Sequence, residues 1–199
     1  MTEIKPLYEM SNEELWTLFP IILSEHRLIW KENYLTEKIV IEQAVGIRNI
    51  VRINHYGSTS VPNLLAKPSI DILLEVKNNT NIEKLILNMQ SVGYIYSEQL
   101  NNPEPCMMFM KGYTAQGLKG QAFHAHVRYS GHWDELYFRD YLLSHPEIAD
   151  KYGKLKSELQ KKYEHDRDGY TDAKTDFIKQ VTKLARTEMQ NIYKWHEGA

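Results

Sequence analysis

The spacing of apolar and polar residues changes several times along the chain, and each change predicts an element. From residue 11 to 45 the apolar positions recur at helical spacing. A capping box of Ser11 and Glu14 opens the stretch, Pro20 interrupts it and Gly46 closes it, which predicts one or two N-terminal helices. Between Arg48 and Gly57 the pattern turns β-rich, with Ile50, Val51 and Ile53 leading to a Gly-Ser turn signal. Residues 58–68, STSVPNLLAKP, carry two prolines and small hydroxyl residues and read as an ordered loop. Ser69–Val76, SIDILLEV, is apolar except at Ser69, Asp71 and Glu75, the pattern of a strand buried on both faces. A helix follows over residues 81–91.

Cys106–Lys111 and Ala122–Arg128 read as two further strands, joined as a hairpin by the glycine-bearing segment GYTAQGLKGQ as a long loop. The remainder is helical. Trp133–Leu143 has an aromatic stripe, and Pro146 opens a second helix carrying Ile148, Tyr152, Leu155 and Leu159. Thr171 is placed to cap a third, carrying Phe177, Val181 and Leu184. The expectation is an α+β fold: a mixed β-sheet with N-terminal helices and a C-terminal helical layer of three helices. It forms one domain over residues 1–199, with a sheet core at about 47–130 and the helical layer at about 131–196.

Composition narrows the partners. At 199 residues and 42% hydrophobic the chain can bury a real core. Lys plus Arg is 24 against 26 for Asp plus Glu, so the net charge of −2 offers no broad attraction for a nucleic-acid backbone or an anionic membrane. Neither is an expected partner, although a local basic cleft remains open. The single cysteine, Cys106, excludes an internal disulfide and a multi-cysteine zinc site, and reads as a buried small apolar residue. The opening MTEIKPLYEM lacks the apolar segment of a signal peptide, and no apolar run approaches the roughly 20 residues of a membrane helix. The expected location is the cytoplasm.

Three patterns carry chemistry. Asp71 lies inside an apolar strand, where an ionised carboxylate costs several kcal/mol unless it is paired or metal-bound. Its bland reading is an ion pair with Lys67 or a hydrogen-bonded structural role. Gly57-Ser58 allows close backbone approach to an anion, although the dipeptide alone is more often a plain turn. His124, His126 and Arg128 alternate on one strand face, neighbours being about 6.6 Å apart. Two such histidines are more often structural than ligating.

The run HYGSTSVPNLLAKPSIDILLEV resembles the signature of the GrpB family, in which a Gly-Ser-Thr-Ser-Val-Pro loop precedes Ala-Lys-Pro and an aspartate-bearing strand. The similarity continues through FHAHVR, ELYFRDYL, YGKLKSEL and RDGYTDAKTDFI, from Trp16 to about Ala185. That family is placed in the nucleotidyltransferase superfamily. The resemblance implies transfer of a nucleotidyl group from a nucleoside triphosphate to an unidentified small-molecule or protein acceptor. Asp71 is then the catalytic carboxylate and metal ligand, and Gly57, Ser58, Thr59 and Ser60 form the phosphate loop. Lys67, Arg128, Arg139, Lys156, Tyr170 and Lys174 become candidate phosphate contacts, and His124 and His126 stand near the position of a further superfamily carboxylate. The implied cofactor is a divalent metal, Mg²⁺ or Mn²⁺; imidazole ligands would also admit Zn²⁺.

The chain departs from the superfamily pattern at Leu73, where a second acid is usual. Glu75 lies about 13 Å along the strand from Asp71, too far to share an ion. Two alternatives therefore stand beside the transferase: a nucleotide-binding protein without turnover, and a metal-dependent phosphoesterase built on Asp71, His124 and His126. Arg139, followed by Asp140, has an equally good structural reading as a bridge between the helical layer and the sheet.

Overall fold

A computed structural model describes residues 5–190 and 192–193. The described residues form seven α-helices and five strands. The helices are α1 (Asn12–Leu18), α2 (Ile29–Val45), α3 (Ile82–Ser91), α4 (Asp134–Ser144), α5 (Pro146–Tyr163), α6 (Arg167–Asp172) and α7 (Thr175–Met189). The strands are β1 (Ile50–His55), β2 (Ser69–Val76), β3 (Ile95–Glu98), β4 (Met107–Thr114) and β5 (Gly117–Tyr129). They form one sheet in the order β1-β2-β5-β4-β3. Only the β2/β5 pairing is parallel, and it sets Asp71 opposite His124 and Leu73 opposite His126.

Alternation along β2 divides its side chains between two layers. Ile70, Ile72, Leu74 and Val76 join Phe123, Ala125 and Val127 of β5 against α2 and α3, in a core that includes Trp30, Ile41, Leu85 and Met89. Asp71, Leu73 and Glu75 point to the other face. The helical layer beyond it has its own apolar interior of Tyr137, Tyr141, Leu142, Tyr152, Val181 and Ala185. Both faces of β2 are thus covered, as its near-continuous apolar run requires.

The capping box at the start of α1 forms as the sequence predicts: Glu14 N–H donates to Ser11 Oγ, and Ser11 N–H donates to the Glu14 carboxylate. Elsewhere the structure corrects the expectation. The segment GYTAQGLKGQ is not a long loop. β4 and β5 extend into it and pair as far as Thr114 with Gly117, leaving a two-residue turn at Ala115-Gln116. Its glycines serve the hairpin: Gly112 takes φ +89° at a register irregularity, where a Cβ would meet Gln121 O at 2.6 Å. β3, only four residues long and at the sheet edge, leaves no alternation in the sequence. The helical layer has four helices rather than three, because residues 167–172 form α6. Asp166 caps α6 by accepting from Gly169 N–H, whereas the Thr171 hydroxyl donates back to Arg167 O inside it. Leu184 is half exposed rather than core. Cys106 is half-buried ahead of β4.

Candidate active site

Between the sheet and the helical layer lies a cleft of about 880 Å³. Its floor is the outward face of β2 and β5, and Asp71 stands on that floor, its side chain 26% exposed. His124 Nδ1 is 3.1 Å from Asp71 Oδ1, and His124 Nε2 is 2.7 Å from the Tyr113 hydroxyl. A carboxylate only accepts, so Nδ1 carries the shared proton and donates to Asp71. Burial alone would raise the Asp71 carboxyl, but the His124 hydrogen bond, together with the charges of His124, His126 and Lys67, outweighs it and holds the group below its ordinary value.

Gly57 is needed here for space rather than for its dihedral angles, since its φ of −65° suits any residue. A Cβ at this position would lie 1.9 Å from Asp71 Oδ2. The loop after it is bound by its own hydroxyls. Ser60 Oγ donates to Gly57 O at 2.6 Å; Thr59, 1% exposed, donates to Ser69 O and meets His55 Nε2. Only Ser58 turns its hydroxyl to the helical layer, where Lys156 Nζ donates to it at 3.0 Å.

Three lysines converge on one end of the cleft from separate elements. Lys156 reaches from α5 and also donates to Leu65 O, with Nζ 4.5 Å from the centre of the Tyr152 ring. Lys174, at the α6–α7 junction, lies 4.1 Å from the centre of the Tyr170 ring, and Lys67, from the loop before β2, lies 5.7 Å from the same ring. Among the described residues none of the three has a carboxylate within 4.0 Å. Burial lowers Lys156 to about 7, and repulsion from Lys174 adds to it. Burial and Lys67 lower Lys174 to about 7. Burial and Arg167 lower Lys67 to about 8. Asp71 opposes all three shifts. Such a group is short of negative charge, and an entering polyanion would supply it.

Tyr56, Trp133, Glu135 and His126 also line the cleft. The His126 ring packs edge-on against Tyr56 at 5.8 Å, and burial pushes it down to about 4, so it is a neutral imidazole at physiological pH. Asp71, His124 and His126 line one cleft, yet among the described residues no three His, Cys, Asp or Glu side chains converge as a metal-holding group. Both nitrogens of His124 are engaged as described, and Leu73, fully buried, offers no second oxygen ligand.

The two arginines are placed elsewhere. Arg128 is 2% exposed, donates to the carbonyl of its neighbour Val127, and does not line the cleft. Arg139 is occupied in tying α4 to β1: it donates to Asp140 at 2.6 Å, to His55 O at 3.0 Å and to the Tyr193 hydroxyl at 3.0 Å. Glu75 is fully buried and held by both arms of Arg52. Tyr113 lies inside the segment expected as a loop, and Tyr152 is expected only as a core position. Its i,i+4 spacing to Lys156 was the signal available.

The model of the GrpB protein family matches residues 20–184. The chain is 32% identical over 167 residues to the glutamate-rich protein GrpB of Alkalihalophilus pseudofirmus, covering 81% of this chain and 93% of that protein. It is 33% identical to the UPF0157 protein YqkA of Bacillus subtilis, covering 85% of this chain and 46% of that protein. It is also 33% identical to a UPF0157 protein of Pseudomonas aeruginosa, of whose length it spans 62%. The crystal structure of the conserved protein GrpB from Enterococcus faecalis superposes with a TM-score of 0.74 at 31% identity, over 84% of this chain and 99% of that one. Among the described residues no helix is long and apolar enough to cross a membrane. The chain belongs to the GrpB family.

Proposed function

We propose that this protein binds a nucleoside triphosphate in the cleft and transfers its nucleotidyl group to a hydroxyl or amine of a small-molecule or protein acceptor. The observation that carries the proposal is the convergence of Lys67, Lys156 and Lys174, free of carboxylate partners within 4.0 Å among the described residues, on the end of a cleft whose floor holds Asp71. Three ammonium groups and the Ser58 hydroxyl suit a triphosphate better than a single phosphate. In the transfer, the acceptor oxygen or nitrogen bonds to the α-phosphorus, the bond from that phosphorus to the bridging oxygen breaks, and pyrophosphate leaves. The acceptor proton passes to solvent. The lysines hold the leaving pyrophosphate and offset its charge, and His124 fixes the orientation of the Asp71 carboxylate.

A divalent cation fits this chemistry with Asp71 as its only carboxylate ligand, because Mg²⁺ is commonly held by one or two carboxylates together with substrate phosphates and water. Bound there, it would offset charge on the reacting phosphate. His126, neutral and in the same cleft, is the imidazole that would favour Mn²⁺ or Zn²⁺. Leu73 favours a second reading, a nucleotide-binding protein that does not turn over.

Thermal-shift and calorimetric titrations with ATP, GTP, CTP and UTP, each with Mg²⁺, Mn²⁺ or Zn²⁺, test the proposal. The expected result is stabilisation by triphosphate that is lost in Lys156→Met and Lys174→Met, with metal dependence that is lost in Asp71→Ala. Binding without pyrophosphate release across an acceptor screen would select the second reading. No triphosphate binding would overturn both.

A further inference from the structure

A second cavity, of about 250 Å³, adjoins the cleft, and Lys67 and Ser69 line both. Its walls are apolar. Phe19 packs edge-on against Tyr113, with ring centres 5.0 Å apart, while Ile22 and Leu118 are 56% and 51% exposed and leave the mouth open to solvent. Two cations reach these walls, Lys67 from the loop before β2 and Arg167 from the start of α6. Arg167 donates to Phe19 O at 3.3 Å and faces the Tyr113 hydroxyl, and among the described residues neither cation has a carboxylate within 4.0 Å. A guanidinium has five donors in a fork that matches a carboxylate. An apolar chamber rimmed by two such charges is completed by a molecule with an apolar body and one anionic group. The volume falls below the about 300–1,000 Å³ of drug-sized sites, so that molecule is small.

We infer that this cavity binds a small amphipathic carboxylate, with its acyl or aryl body against Phe19, Ile22 and Leu118 and its carboxylate on Arg167 and Lys67. An occupant that also carries a hydroxyl or amine would sit beside the triphosphate proposed above, where a transferase needs its acceptor. That role rests on the preceding proposal; the binding does not.

The test uses 3-phenylpropionate as probe and its neutral amide as control, followed by calorimetry and by the methyl resonances of Ile22 and Leu118. Saturable binding of the carboxylate that shifts both methyl groups is expected. Its affinity should fall about tenfold or more for the amide and in Arg167→Gln, as befits a charge-assisted contact. Leu118→Trp, which fills the mouth from an exposed position, should abolish it, whereas Lys174→Met should lose triphosphate and keep the probe. Absence of saturable binding at millimolar probe, equal affinity for the amide, or indifference to both cavity variants overturns the inference. Probe binding in a protein that takes up no triphosphate sustains it while the transferase reading fails.

Discussion

Alanine at position 57 should uncouple the loop from the strand beneath it. The added Cβ would stand 1.9 Å from Asp71 Oδ2, 2.6 Å from Cγ and 2.7 Å from Cβ, against ordinary contacts of 3.4–4 Å. Loop and carboxylate must therefore separate by more than about 1 Å, since atoms at such distances repel steeply. Overpacking of this kind costs about 1–3 kcal/mol. Displacing Asp71 also strains its hydrogen bond to His124, a charge-assisted contact worth about 1.5–3 kcal/mol. Against these stands a gain of about 0.4–1 kcal/mol from restricting the unfolded chain, available because φ at Gly57 is −65°. The net expectation is a loss of about 1.5–5 kcal/mol, or roughly 3–20 °C in Tm for a chain of this size.

Chemical denaturation of Gly57→Ala, Asp71→Ala and the double variant makes a cycle that isolates the cause. In the Asp71→Ala background the nearest strand atom is Cβ at 2.7 Å, and no carboxylate hydrogen bond remains to be strained. Gly57→Ala should therefore cost at least about 1 kcal/mol less there, which is above the usual additivity error. Equal cost in both backgrounds would refute the claim that glycine is required by the carboxylate.

Other expectations follow from the same geometry. Lys156 and Lys174 near 7, and Lys67 near 8, lose their protons as pH rises through 7 to 8, so triphosphate affinity measured calorimetrically at fixed metal should fall across that window. Stability without ligand should move the other way. Folded-state values below the usual 10.5 mean that the unfolded chain binds more protons between pH 7 and 10.5, so the penalty for these buried lysines is full below 7 and is relieved as pH rises. Arg52→Met should destabilise by about 3–5 kcal/mol in denaturant titrations, because it strands a fully buried Glu75 carboxylate. Replacing Arg52 and Glu75 together by Met should recover most of that loss. Asp71→Ala should leave metal-free triphosphate binding measurable by calorimetry, as the ammonium groups remain, while removing the increment that Mg²⁺ adds.

What the sequence conveyed, it conveyed through local chemistry. β2 was legible because a strand covered on both faces must be apolar throughout, and Asp71 stood out against that background. The hydroxyl-rich loop was legible from its prolines and its Gly-Ser start. The β4–β5 turn was not, because glycines that create a positive φ beside a neighbouring backbone look, in one dimension, like glycines that end a strand. Nor were the fates of Arg128 and Arg139. Arg139 is spent on the His55 carbonyl, 84 residues away, and nothing local to the sequence marks that partner. Lys156 and Lys174 were visible only as lysines bordering apolar helix faces; each stands four residues from its tyrosine, but their convergence on one cleft is a property of helix packing.

The origin of the three lysines has a consequence for how the molecule matures. One comes from the loop ahead of β2, one from α5 and one from the α6–α7 junction, so the cationic pocket does not exist until the helical layer has closed over the sheet. Closing it drives like charges together, so the triphosphate proposed above would act as a fastener between the two layers. Occupancy and docking would then be one equilibrium, in which a filled cleft slows the parting of helices from strands.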